Sequence, residues 1–154
     1  MRELIESFVA RQVDFTIVGG FAVAYHGYPR YTGDIDLLVR QQPDNLARVL
    51  DALTSFGMPL ATTAAALLEP KVMLMLGKAP NRIDILVSID GVTADAVWAG
   101  RVSATLDGIP VAFIGRAELL TNKASTTREK DKADLVALLA RPPRRGRMTK
   151  KPRG

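Results

Sequence analysis

The sequence predicts a single α/β (α+β) domain built on a mixed β-sheet with helices mainly on one face. Three observations carry that expectation. The 154 residues match the usual size of one domain. The first forty alternate helical and β-type periodicity in the order helix, strand, helix, strand, and the remainder supplies further helices interleaved with β-rich runs. No internal repeat is present.

Residues 2–12 place Leu4, Ile5, Phe8 and Val9 at helical spacing, and residues 14–18 form a short β-rich run that ends in Gly19-Gly20. Phe21 to Tyr25 reads as helix, His26 to Gly33 as a loop rich in Gly and Pro, and Asp34 to Val39 as a strand. After Pro43, which suits a first helical turn, Leu46, Val49, Leu50 and Leu53 share one face of a helix ended by Gly57. Ala61 to Leu68 reads as a further helix. Lys71 to Leu76 and Arg82 to Ile89 read as an antiparallel pair across the turn formers between them. Thr93 to Trp98 is a short helix with Thr93 as its N-cap. Asp107-Gly108 separates two strands, Arg101 to Leu106 and Ile109 to Ile114, as a type I′ hairpin, with Pro110 pushing its strand toward the sheet edge. Helices at Arg116 to Thr126 and Lys130 to Leu139 complete the domain, residues 1–140, the second carrying an apolar stripe of Leu135, Leu138 and Leu139.

Composition narrows the chemistry. With 47% hydrophobic and 24% charged residues the chain is of the soluble globular type, and no apolar run approaches the roughly 18 residues of a membrane span. The opening residues, with two acids among their charges, read as an amphipathic helix and not a signal peptide, so a cytoplasmic protein is expected. There is no cysteine and only one histidine, His26, which removes thiolate sites, multi-histidine metal sites and most Ser-His-Asp schemes. Catalysis would fall to carboxylates. The net charge of +5 is concentrated in residues 141–154, which hold seven Lys or Arg and no acid; the remainder, with 14 basic against 16 acidic residues, stands at −2. That Pro/Gly-rich tail reads as disordered and solvated, with neutralisation of nucleic-acid phosphates as its functional alternative.

Asp34 and Asp36 lie at i and i+2 of a strand, so both carboxylates point to one face about 6.6 Å apart at roughly 3.3 Å per residue, while Ile35 and Leu37 face the core. Asp84 sits in a second β run, again flanked by isoleucines. Charge within such runs is costly without a partner. Three converging carboxylates would repel and raise one another's pKa, and a divalent cation, Mg²⁺ or Mn²⁺, would reverse that. Gly19 and Gly20, between strand and helix, let backbone approach a phosphate closely. Carboxylates and a phosphate cradle together are the equipment of two-metal phosphoryl or nucleotidyl transfer.

The order Val18-Gly19-Gly20, thirteen residues, then Asp34-Ile-Asp-Leu37, with a later strand carboxylate at Asp84, resembles the nucleotidyltransferase superfamily of the DNA polymerase β type. The stretches GGFAVAYHGYPRYTGDIDLLV and LLTNKASTTREKDKADLVALL are similar to small bacterial members, the AbiEii-type toxin and lincosamide nucleotidyltransferases. The resemblance covers residues 1–140. It implies the nucleotidyltransferase fold, a Mg²⁺-bound NTP and transfer of NMP with release of pyrophosphate. It gives the triphosphate to Gly19, Gly20, Arg30 and Lys123, with Arg128 and Lys130 as further nucleotide contacts. Asp34 and Asp36 become metal ligands, and Asp84 the third catalytic carboxylate, activating the acceptor hydroxyl. Where related proteins read Gly-Ser, Gly20 offers no hydroxyl.

The plainer alternative for Lys123, Arg128 and Lys130 is an exposed helical face paired with Glu129, Asp131 and Asp134; the last two are expected to cap or pair within their helix. His26 is expected to hydrogen-bond within its loop. Tyr25, Tyr28 and Tyr31 either stack on a base or pack the loop, and Trp98 belongs to the core or an interface. The leading expectation is transfer to RNA, such as tRNA, or to protein within a toxin–antitoxin pair. The alternatives are a small-molecule transferase of antibiotic-modifying type and a non-catalytic nucleotide-binding module. A monomer or homodimer is expected.

Overall fold

Phe15–Val18 (β1) is apolar except for Thr16 and is buried along its whole length, the pattern of a strand with neighbours on both sides and cover on both faces. The computed structural model describes residues 1–58, 62–78 and 80–143. Among them the elements run Arg2–Ala10 (α1), β1, Gly19–Tyr25 (α2), Asp34–Val39 (β2), Pro43–Ser55 (α3), Met73–Leu76 (β3), Arg82–Leu86 (β4), Ala94–Gly100 (α4), Val102–Leu106 (β5), Ile109–Phe113 (β6), Arg116–Ala124 (α5) and Glu129–Leu139 (α6). The strands form one mixed sheet in the order β3-β4-β2-β1-β6-β5. β1 pairs antiparallel with β2 and parallel with β6; β2 pairs parallel with β4; the β3–β4 and β5–β6 pairs are antiparallel. Among the described residues no helix is long and apolar enough to cross a membrane.

The helices form where amphipathic spacing requires them. Leu4, Ile5 and Phe8 of α1 and Leu46, Val49, Ala52 and Leu53 of α3 are buried in one core with Ile17, Ile35 and Leu37. The buried Asn45 donates to the carbonyls of Asp14 (3.0 Å) and Arg40 (2.8 Å) and accepts from the Asp14 amide (2.7 Å), so α3 clamps the start of β1 to the end of β2. The Thr93 hydroxyl accepts from the Ala96 amide at 3.2 Å, the N-cap expected of it.

Three expectations change. The helix over residues 61–68 is a single 3₁₀ turn, Ala66–Leu68, within the described residues; Thr63 caps the Ala66 amide and Pro70 follows closely, leaving no room for a second turn. The β3 run begins at Met73, since Lys71 has φ +63, and β4 ends at Leu86. Pro110 does not place its strand at the edge. β6 is internal and β5 is the edge strand. Pro110 faces Thr105, one pair in from the Leu106–Ile109 pair that closes the two-residue loop. In such a hairpin that second pair exchanges no hydrogen bonds, and the β1 ladder touches β6 only at Ile17–Phe113, so no amide is needed at Pro110. Asp107 and Gly108 both have positive φ, +51 and +80, as a type I′ turn requires.

At the end of the domain Arg141 donates to the Ala137 carbonyl (2.7 Å) and lies over the Tyr28 ring (4.9 Å). Residues 144–154, which hold the rest of the basic tail, lie outside the described residues.

Candidate active site

Val18 ends β1, and the chain turns into α2 through Gly19 at φ +66. A Cβ there would lie 2.0 Å from Asp36 Oδ2, so only glycine lets this turn close against the neighbouring carboxylate. Gly20 is less constrained, a Cβ meeting Thr32 at 3.0 Å. Asp36 stands beside Val18 on one side and Asp84 on the other, and Asp34 stands beside Arg82. Directly paired residues share a face of a sheet, which brings carboxylates distant in sequence to one place. Ile35 and Leu37, pointing the other way, are fully buried. One oxygen from each of Asp34, Asp36 and Asp84 lies within 4.8 Å of the others.

Such a cluster is electrostatically unstable alone. Burial and the adjacent charges of Asp34 and Asp84 push the Asp36 carboxyl up to about 7, with a hydrogen bond to Asp84 favouring its protonated form and Lys130 opposing. Arg82 compensates part of the charge. Its Nη2 donates to Asp34 Oδ2 (2.7 Å) and Asp84 Oδ2 (2.9 Å), and its Nε donates to Asp84 Oδ1 (3.0 Å). These pairings raise the Arg82 pKa further above its ordinary value. The sequence reading missed Arg82, although its i−2 relation to Asp84 is the same signal that links Asp34 to Asp36. All-oxygen donors, fixed on adjacent strands and close enough to share an ion, fit a hard divalent cation such as Mg²⁺.

A second group of charges lies on the helix pair. The buried Lys123 ammonium of α5 is 2.7 Å from Asp131 Oδ1 and 3.1 Å from Asp134 Oδ2, both on α6. Arg30 grips Asp134 with two parallel hydrogen bonds of 2.8 and 2.9 Å, and Arg128 and Thr126 donate to Asp131 Oδ2 at 2.9 and 2.8 Å. Burial alone would raise the Asp131 carboxyl; hydrogen bonds from Lys123 and Thr126 and the charges of Lys123 and Arg128 outweigh it and hold it below the usual range. Asp131 and Asp134 therefore pair mainly across elements, not within α6 as expected, because at i and i+3 both face α5.

One cavity of about 470 Å³ collects Gly19, Gly20, Arg30, the three carboxylates and Arg82, and also Lys123, Arg128 and Lys130. Every residue singled out from the sequence for the site thus lines the same space. His26 is elsewhere: it is buried and its Nε2 lies 2.7 Å from the Ile114 carbonyl beyond β6, a contact across the fold. Tyr25 stacks on Phe113 at 4.3 Å, while Tyr31 is exposed. Trp98 is buried, and the guanidinium groups of Arg40 and Arg101 lie over its ring at 5.5 and 5.2 Å.

No protein-family model matches the chain, and no curated protein matches it in sequence. Solved structures do match. The solution structure of the antibiotic-resistance factor ANT(2″)-Ia aligns with 90% of this chain and 80% of its own, at a TM-score of 0.59 and 13% identity. The same factor in complex with adenylyl-2″-tobramycin aligns with 90% of this chain and 94% of its own, with a TM-score of 0.52 and 14% identity. The lincomycin-bound lincosamide antibiotic adenylyltransferase LnuA aligns with 90% of this chain and 96% of its own, at 0.52 and 15%. Aligned over nine-tenths of its length at TM-scores above 0.5, the chain has the fold of the antibiotic nucleotidyltransferases.

Proposed function

We propose that the protein is a divalent-metal-dependent nucleotidyltransferase that moves NMP from an NTP to a hydroxyl group of a small molecule. The observation that carries this reading is the convergence of Asp34, Asp36 and Asp84 in one cavity with Gly19, Gly20 and a set of cationic side chains. Bound Mg²⁺ would be held by the three aspartates and would polarise the α-phosphate and the departing pyrophosphate. Gly19 and Gly20 admit the triphosphate close to the backbone. Arg30, Lys123, Arg128 and Lys130 offset its negative charge. Asp84 takes the acceptor proton as the acceptor oxygen bonds to the α-phosphorus and the bond to the β-phosphate oxygen breaks. The products are the nucleotidylated acceptor and pyrophosphate.

A small-molecule acceptor is favoured over a macromolecule by two considerations. The matched folds are those of proteins seen with a nucleotidylated or intact antibiotic. The cavity beside Asp84 also has an apolar side, made by Val72, Met73, Leu86 and Ile89, suited to a ring system and ill suited to a phosphate backbone. Transfer to RNA, or to protein within a toxin–antitoxin pair, is the second reading, and the basic run at the C-terminal end is the feature that favours it. The test uses α-labelled NTPs with Mg²⁺ or Mn²⁺ and separate acceptor sets: lincomycin, tobramycin and related small molecules, total RNA, and lysate protein. Label is expected in a small molecule and lost by at least about a hundredfold in Asp36→Ala, the scale of removing one preorganised electrostatic group. Label in RNA alone would transfer the assignment to the second reading. No incorporation with any acceptor would favour a binding module.

A further inference from the structure

We infer that Arg82 is the resident counterion of the carboxylate triad and leaves it when a divalent cation binds. The inference rests on the metal role proposed above and adds a competitor to it. A single nitrogen, Arg82 Nη2, bridges Asp34 on β2 and Asp84 on β4 at 2.7 and 2.9 Å, while Nε occupies the second Asp84 oxygen at 3.0 Å. A cation shared by those strands needs the same gap between the same carboxylates, one oxygen of each lying within 4.8 Å of the others and of one from Asp36. A guanidinium and a divalent ion about 4 Å apart on one face of the sheet repel. One of them must yield.

The structure shows which part can move. The carboxylates are fixed by strand register, Asp36 opposite Asp84 and Asp34 opposite Arg82, and the Asp84 side chain is only 5% exposed. The Arg82 side chain is 39% exposed and sits on a long flexible stem. Rotation about that stem takes the charge out of the triad without disturbing the sheet. Arg82 therefore sets the cation concentration at which the triad fills. It is a positioning residue for the carboxylates until then, and not a metal ligand.

The experiment is direct titration of the full chain with Mn²⁺ alone, following free Mn²⁺ by electron paramagnetic resonance at pH 8, for the parent, Arg82→Gln, Arg82→Lys and Asp36→Ala. Arg82→Gln removes the charge and the reach of the guanidinium while keeping a polar side chain, and is expected to bind Mn²⁺ about five- to tenfold more tightly, the scale of removing one nearby like charge. Loss of a purely structural residue would weaken binding. Unchanged or weaker affinity in a folded Arg82→Gln protein would overturn the inference and leave the metal reading standing. If that variant folds poorly, Arg82→Lys, which loses the bidentate grip, carries the test; a smaller gain is expected, and no gain overturns the inference. Absence of Mn²⁺ binding in every protein, or binding undiminished in Asp36→Ala, would remove the metal reading itself and this inference with it.

Discussion

The carboxyl of Asp36 makes stability depend on pH in an unusual direction. Its value rises from 3.8 to about 7, so between those limits the folded protein keeps a proton that the unfolded chain releases. Its contribution is therefore favourable at low pH and is lost as pH rises through about 7. Asp36→Asn stays neutral throughout and is nearly isosteric. In metal-free buffer its Tm is expected to match the parent near pH 4 and to exceed it increasingly up to pH 8, by differential scanning calorimetry; a difference independent of pH would contradict the assignment. Gly19 gives a second residue-scale test. Gly19→Ala combines a left-handed backbone, costing about 1–2 kcal/mol for an L-residue, with displacement of the Asp36 side chain. It should lower stability by more than that in the parent and by only about that amount in Asp36→Ala, a non-additivity that denaturant titration of the double-mutant cycle resolves. The two aspartates and the glycine were legible because their spacing states their geometry. Arg82 was not, because an arginine two residues before an aspartate reads equally well as an exposed ion pair until the Asp34–Arg82 register is known.

At the scale of elements, two polar constructions hold this fold together, and both were hidden from periodicity. Asn45 joins β1, β2 and α3 through three hydrogen bonds made by a side chain with no exposure. Asn45→Ala leaves those backbone groups buried and is expected to cost about 2–4 kcal/mol, measured by urea unfolding. The Lys123–Asp131–Asp134 group joins α5 to α6 and, through Arg30, to the loop before β2. Lys123→Met leaves two buried carboxylates short of a cation and should destabilise by about 3–5 kcal/mol, whereas Lys123→Met with Asp131→Asn should recover part of the loss. If the single substitution is neutral, the network is not a structural tie. The reading of Lys123 as a phosphate contact came from sequence likeness; its pairing with Asp131 and Asp134 was the plainer alternative, expected on an exposed face and found buried, because burial depends on how α5 crosses α6. Periodicity did find the amphipathic α1 and α3, the β3–β4 pair and the Asp107-Gly108 hairpin. It failed over the described residues 62–68 because a run of alanines has helical propensity without a face to bury, and capping and the nearby proline then decide the outcome.

Across the whole molecule, the sheet separates two kinds of surface around one row of carboxylates. On one side lie the glycine turn, the Arg30 loop and the cations of α5 and α6; on the other lies β3. The antiparallel register sets Met75 opposite Asp84 and Met73 opposite Leu86, so both methionines share the carboxylate face, while Leu74 and Leu76 turn to the core side. The open face of an edge strand is ordinarily polar. Here Met73 and Met75 are 46% and 59% exposed, and Met73 lines the cavity. Methionine offers a soft, adaptable apolar surface. In the proposed reaction that side receives the body of the acceptor, with its hydroxyl toward Asp84, and the opposite side receives the triphosphate. Replacing Met73 with glutamine, similar in size and uncharged, should then divide the kinetic constants. Removal of most of one apolar contact is worth about 1–2 kcal/mol, or roughly a 5- to 30-fold rise in acceptor KM. The Kd for Mg²⁺–NTP and the Mn²⁺ affinity should stay at parent values, because neither uses β3. A parallel rise in the nucleotide Kd would mean that the two sides are not separate, and an unchanged acceptor KM would take β3 out of acceptor recognition.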